Sequence, residues 1–138
     1  MVQEHDEIVD IPPHRVRYFG GTGKMLLPSP TTIANIIKRI PQSKLLTTDL
    51  LRQQLTEQFH VEGTCPITTK ISLQALVNDP NTNVAYWRVI RPTGALMSTY
   101  PGGIEGHASH LKDEGFVIDT KGKDAKVKNF RESLVHLG

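Results

Sequence analysis

Three groups of residues have types and spacings that chemistry could use. Gly20-Gly21-Thr22-Gly23-Lys24-Met25 approaches a phosphate-binding loop, G-x-x-x-x-G-K-[ST]. Tyr18 stands at the first glycine position and Met25 at the hydroxyl position, so the magnesium ligand is missing and the segment reads as a flexible glycine loop. His107, His110 and Glu114 fall at i, i+3 and i+7 of one predicted helix, a face that could ligate zinc. No fourth ligand follows, so a solvated helix surface is expected and no metal. Cys65 could act as a nucleophile if a base or cation lowered its pKa. It precedes a predicted helix start, but only His60 is near in sequence, and it reads as a free thiol. None of the three groups calls for a cofactor.

The elements that would position these residues are mostly helical. Residues 1–30 are punctuated by Pro12, Pro13, Gly20, Gly21, Gly23 and Pro28, which predicts an extended arm with short turns. Ser29, Thr31 and Thr32 around Pro30 offer a helix start. Ile33, Ile36, Ile37 and Ile40 then form one apolar face that ends near Pro41. A second helix begins at Thr47 or Thr48 with the stripe Leu51, Leu55 and Phe59. A third begins near Pro66, carries Ile67, Ile71, Ala75 and Leu76, and stops at Asp79-Pro80. The pair has the outline of a helix-turn-helix. Val84 to Ile90, the turn Pro92-Thr93-Gly94 and a return through Ala95-Leu96-Met97 predict a hairpin, or wing. A fourth helix carries Ile104, Ala108 and Leu111 and is capped by Gly115. Phe116-Val117-Ile118 closes as a short strand. Residues 119–128 read as a polar mobile segment, and Phe130, Leu134 and Leu137 as a last amphipathic turn or two.

Composition agrees with one folded domain. The chain has 138 residues, 38% hydrophobic and 22% charged, enough for a core without disulfides. No apolar run approaches the ~20 residues of a membrane span, and the start MVQEHDEIVD lacks the basic and apolar regions of a secretory signal. One cysteine suits a reducing, cytoplasmic setting. The net charge is +2, but Glu4, Asp6, Glu7 and Asp10 crowd the first ten residues, leaving 16 basic and 10 acidic residues over 11–138. That balance permits a polyanion partner without requiring one.

The stretch from Tyr86 to Gly115, YWRVIRPTGALMSTYPGGIEGHASHLKDEG, carries more information. It resembles the DNA-binding domain of the O6-alkylguanine-DNA alkyltransferases and, more closely, their alkyltransferase-like relatives. Those families have a Pro-Cys-His-Arg-Val core, a glycine hairpin, a Tyr-Ser-Gly-Gly loop and a helix ending in Glu-Gly. Here Ala85-Tyr86-Trp87-Arg88-Val89 stands at the core and Thr93-Gly94 at the hairpin. Tyr100-Pro101-Gly102-Gly103 follows at the loop and Asp113-Glu114-Gly115 at the helix end. Upstream, Lys70 to Leu76 with Asp79-Pro80 aligns without a gap to the family's recognition helix, and Thr47-Thr48 to the start of the helix before it. The resemblance spans residues 31–118. It implies a mainly α fold with a small β hairpin, a winged helix-turn-helix-like domain, flanked by the arm at 1–30 and a tail at 119–138.

The departures shape the function it implies. The family's transferases activate a cysteine through histidine, water and glutamate. Tyr86 and Trp87 replace the cysteine and histidine, and only Glu114 of the relay remains. A phenol with an ordinary pKa near ~10 and no adjacent base is a poor alkyl acceptor, so no enzyme activity is expected. Lys70 replaces the arginine that fills the stack after a base swings out, and lysine cannot stack as a guanidinium does. Two functions fit these residues. One is a non-catalytic DNA binder that recognises alkylated or extruded guanine in DNA repair. The other is a retired scaffold that binds plain duplex DNA or a protein. The implied partner is double-stranded DNA, with room for a repair-protein partner. Thr47, Thr48, Thr68, Thr69, Lys70 and Gln74 are expected on the DNA face. Tyr86, Arg88, Tyr100, Pro101, Gly102 and Gly103 are expected around the lesion pocket, with Arg88 either lining it or acting structurally, its fork holding loop carbonyls or a phosphate. If residues 84–90 form a regular strand, Tyr86 reaches that pocket while Trp87 packs into the core near Leu111.

Overall fold

A computed structural model describes residues 4–137; residues 1–3 of the expected arm and residue 138 of the expected tail lie outside it. The fold is mainly helical with small sheets. Five helices are α1 (Val16–Phe19), α2 (Pro30–Ile37), α3 (Thr48–Gln58), α4 (Pro66–Asn78) and α5 (Gly103–Asp113). Short strands are β1 (Glu7–Asp10), β2 (Lys24–Leu27), β3 (Leu46–Thr47), β4 (Gly63–Thr64), β5 (Val89–Ile90), β6 (Ile118–Asp119) and β7 (Lys126–Val127).

The helix starts follow local chemistry. Ser29 caps α2 by accepting the Thr32 N–H, and Pro30 sits in the first turn, where no donor is lost. Asp6 adds to the cap, accepting the Ser29 N–H at 2.7 Å and the Thr32 hydroxyl. Ile33, Ile36, Ile37 and Ile40 are all buried, as their spacing predicts. Gly115, at φ +93°, closes α5, and the Phe116 N–H reaches back to the Leu111 carbonyl. In α4 the buried face differs from expectation. Thr69, Ser72, Leu73, Leu76 and Val77 face inward, while Ile67 is 59% exposed. Small hydroxyl residues can turn inward there because their donors are satisfied: Ser72 donates to the Pro28 carbonyl and Thr69 to that of Cys65, each at 2.7 Å.

Three segments depart from the sequence expectation. The first is the arm, whose described residues do not extend away from the body. β1 pairs antiparallel with β2, and β2 pairs parallel with β4. Ile11, Met25 and Cys65 form a small core beneath this sheet. The proline and glycine residues mark real turns, but between strands rather than in free chain. The second is the hairpin at 84–97. The Pro92-Thr93-Gly94 turn forms, with the Gly94 N–H donating to the Arg91 carbonyl at 2.8 Å. The ladder stops after one rung, the Arg91 N–H to the Ala95 carbonyl at 3.0 Å, because Val89 and Ile90 are wholly buried and pair in parallel with Leu46 and Thr47. Ala95 also bridges Lys126. The third is 119–128, which forms the β6–β7 hairpin with Val127 buried. Beyond it, Phe130 is buried and Leu134 pairs beside Leu45. Val127 and Phe130 are the apolar residues that dock this polar segment.

Two larger cores result. One lies among α2, α3, α4, Tyr86, Val89 and Tyr100; the other joins α5 to Leu45, Ile90, Leu96, Val127 and Phe130. Trp87 packs against both. Among the described residues, no helix is long and apolar enough to cross a membrane.

Candidate nucleic-acid interface

Tyr86–Arg88 is a 3-10 turn, not strand. The expected alternation therefore fails, and Tyr86 and Trp87 line the same open groove, about 500 Å³ in volume. Their rings meet edge to face, with centroids 5.4 Å apart. His110 stacks flat on Trp87 at 4.2 Å, and Pro101 and the Asn78–Pro80 segment complete the wall. The Thr82 hydroxyl is buried at this wall with no hydrogen-bond partner among the described residues. A buried unpaired hydroxyl is costly, and an occupant of the groove could satisfy it.

Glu114 organises the ground behind this groove. Its carboxylate accepts the indole N–H of Trp87 and the Nε–H of Arg88, the latter at 3.0 Å to both oxygens. It also accepts the Ser43 N–H at 2.8 Å, while the Ser43 hydroxyl donates to the Glu114 carbonyl. Arg88 in turn donates to the Ile40 carbonyl at 2.7 Å. Arg88, expected to line the pocket or to hold loop carbonyls, does the second and is absent from the groove wall. His107 is fully buried, not on a solvated surface. Its Nδ1 accepts the Met97 N–H at 2.9 Å, which places the proton on Nε2, 2.8 Å from the Trp87 carbonyl. Burial lowers its pKa to about 4, against a partial lift from the hydrogen bond to Trp87. No three His, Cys, Asp or Glu side chains come together as a metal site among the described residues.

The Tyr100–Gly103 loop is shaped by glycine. Gly102 and Gly103 have φ of +81° and +66°. A Cβ on Gly106 would fall 2.3 Å from the Pro101 carbonyl oxygen, so the loop lies directly on α5. Pro101 reaches the groove. Tyr100 does not: it is buried behind Tyr86 and donates its hydroxyl to the Val89 carbonyl at 2.9 Å. Burial pushes its phenol far above the ordinary range, with Tyr86 adding to the rise. Gln74 donates to the Thr99 carbonyl at 2.7 Å and so fastens this loop to α4.

A second groove, about 280 Å³, opens at the other end of α4 and is lined by Thr48, Arg52, Lys70, Leu73, Arg91 and Met97 among others. Its lining is mostly apolar, and its cations come from α3, α4 and the residue that follows β5. Lys70 is exposed there, and Thr48 is half-buried. Thr47 and Thr69, expected on the same face, are only 3% and 2% exposed. Thr47 belongs to β3, and Thr69 bonds back to its own helix. Arg52 and Arg91 escaped the sequence reading. Arg52 is one helical turn past Thr48, which is a local signal, but Arg91 arrives only through the pairing of β5 with β3.

Thr68 stands over Cys65 rather than in either groove. Burial pushes the Cys65 thiol up, but hydrogen bonds from Thr68 and the Arg15 guanidinium, 3.1 Å from Sγ, outweigh it and leave the pKa below its ordinary value. The glycine loop ends in β2, with Lys24 paired to Asp10, so no helix follows it to cradle a phosphate.

No protein-family model matches the chain. No curated protein matches it either. Solved structures do. An S. pombe ATL in complex with DNA is 18% identical, with a TM-score of 0.62, over 78% of this chain and 94% of that one. S. pombe Atl1 in complex with damaged DNA containing O6-carboxymethylguanine is 21% identical, with a TM-score of 0.58 and the same coverage. At these identities the likeness is one of fold.

Proposed function

We propose that this chain is a non-catalytic DNA-binding protein of the alkyltransferase-like type, which takes an alkylated or extruded guanine into the Tyr86–Trp87–His110 groove. The observation that carries this reading is the placement of two different grooves at the two ends of α4. The aromatic groove, with the unpaired Thr82 hydroxyl, meets Asn78–Pro80; the cationic one surrounds Lys70. Eight residues of helix separate Lys70 from Asn78, about 12 Å along the axis. A base taken into the first groove would leave its strand running toward the second. An aromatic wall suits an unstacked base, and exposed cations suit its phosphates. The neighbouring fold, found in complex with DNA, supports the same reading. In it, α3 and α4 are a helix-turn-helix, the Pro92–Gly94 turn is the wing, residues 31–118 are the DNA-reading unit, and the setting is cytoplasmic, in keeping with one free thiol.

Catalysis has no machinery in this reading. Burial raises the Tyr86 phenol, away from the anion an alkyl acceptor needs, and Glu114 is committed to Trp87, Arg88 and Ser43. Titration of an O6-alkylguanine duplex against its unmodified twin, at stated salt, is expected to show tighter binding of the modified duplex. Mass spectrometry after incubation is expected to find no added CH2 on Tyr86 or Cys65. The burial of Tyr86, 8% exposed and packed on Tyr100, favours a rival: a plain duplex binder whose pocket is filled by its own side chains. Equal affinities for the two duplexes would establish that rival, and a stoichiometric adduct would sink the non-catalytic reading.

Lys70 tests the helix. Lys70→Ala is expected to weaken duplex binding and Lys70→Glu to weaken it more, with the salt dependence flattened by about one unit of slope for one lost phosphate contact. Unchanged affinity and slope in Lys70→Glu would remove α4 from the interface.

A further inference from the structure

We propose that the DNA-binding surface continues past the Pro92–Gly94 turn onto the C-terminal hairpin, where Lys126, Lys128 and Arg131 hold phosphates of the duplex flank. This rests on the DNA-binding reading above. The turn has two sides. On one, Arg91 and Pro92 line the cationic groove with Arg52 and Lys70. On the other, Thr93 lines an open hollow of about 580 Å³ with Lys126, Lys128 and Arg131. One turn therefore borders both basic patches.

The hairpin is fixed to that turn. The Val127 N–H donates to the Gly94 carbonyl at 3.0 Å, and Ala95 bridges Lys126. A Cβ on Gly94 would fall 2.4 Å from the Phe130 ring, so the two segments touch at the glycine. Val127 is buried while Lys126 and Lys128 on either side of it are exposed. Extended backbone puts such alternate residues on one face, about 7 Å apart. The Lys128 N–H donates to the Val117 carbonyl, which holds that extension. The Arg131 guanidinium lies 4.7 Å over the Phe130 ring, a contact that orients it and leaves its charge unneutralised.

The charge balance points the same way. Residues 119–131 carry five basic side chains and two acidic ones. Asp119 and Glu132 also line the hollow, but none of the three cations forms a salt bridge among the described residues. Cations on a hydrogen-bonded hairpin, beside a second basic groove across one turn, fit a regular polyanion track, which a duplex backbone supplies.

The test uses the full chain carrying Lys126→Glu, Lys128→Glu and Arg131→Glu together. Lys38→Glu, Lys44→Glu and Lys112→Glu form a charge-matched control at positions outside both basic patches. Affinity and its salt dependence are measured on alkylated and unmodified duplexes, beside thermal melts. The hairpin variant is expected to lose at least roughly tenfold in affinity on both duplexes and two to three units of salt slope, about one per phosphate. The ratio between the duplexes should stay the same, because the aromatic groove is untouched. If charge reversal unfolds the hairpin, Lys126→Gln with Lys128→Gln should still lower the slope by about two. Retained slope in the hairpin variants, or an equal loss in the control, overturns the proposal while wild-type binding stands. A wild-type chain that binds no duplex overturns the functional reading itself, and this extension with it.

Discussion

Glu114→Ala is expected to lower the free energy of unfolding by about 3–5 kcal/mol, the usual cost of removing one partner from a buried ion pair. The Glu114 and Arg88 side chains are 7% and 17% exposed, so water cannot replace the lost carboxylate. Truncation strands the Arg88 guanidinium, leaves the Trp87 indole N–H unpaired and frees Ser43, which is held at φ +65°. Three segments distant in sequence lose their common anchor at once. Urea unfolding of wild type and variant measures the loss. Replacing both charges, Glu114→Leu with Arg88→Met, should recover part of it, because no orphan charge remains. A single variant as stable as wild type would show that Glu114 is not the hub its contacts describe.

Acid should destabilise the protein through His107. The unfolded chain takes up a proton near pH 6.5, whereas the buried imidazole waits until about pH 4. Between those values the unfolded state binds the extra proton, so stability is complete above pH 6.5 and drains away as pH falls toward 4. The shift corresponds to on the order of 3 kcal/mol. Geometry gives the same sign. A proton on Nδ1 would face the Met97 N–H at 2.9 Å, donor against donor. Denaturant unfolding at a series of pH values should show this slope, and His107→Gln should lack it in the same window. A wild-type curve flat between pH 6.5 and 5 would refute the assignment.

Much of the helical framework was legible from local signals. Ser29-Pro30 starts α2, Pro66 starts α4, Asp79-Pro80 stops it and Gly115 closes α5, because each acts through its own backbone torsions and nearest donors. The positions of Tyr86, Trp87, Lys70 and Glu114 were legible through spacing, which their resemblance to a known family made readable. What those residues touch was not. The Tyr86–Arg88 turn replaced a strand that β-branched and aromatic residues favoured, and so brought Tyr86 and Trp87 into one groove.

Other features depend on partners far along the chain. Thr47 and Thr69 look like surface hydroxyls until β3 meets β5 and α4 turns its small face inward. Arg91 joins Arg52 and Lys70 only through that pairing, and the tail hairpin meets the Pro92–Gly94 turn only when Ala95 takes Lys126 as its partner. Helix boundaries are decided by a few adjacent residues, so one stretch of sequence contains the answer. Strand pairing, burial of polar side chains and the grouping of charges are decided by which surfaces the collapsed chain can bury together. That choice compares all segments at once, and no local window records it.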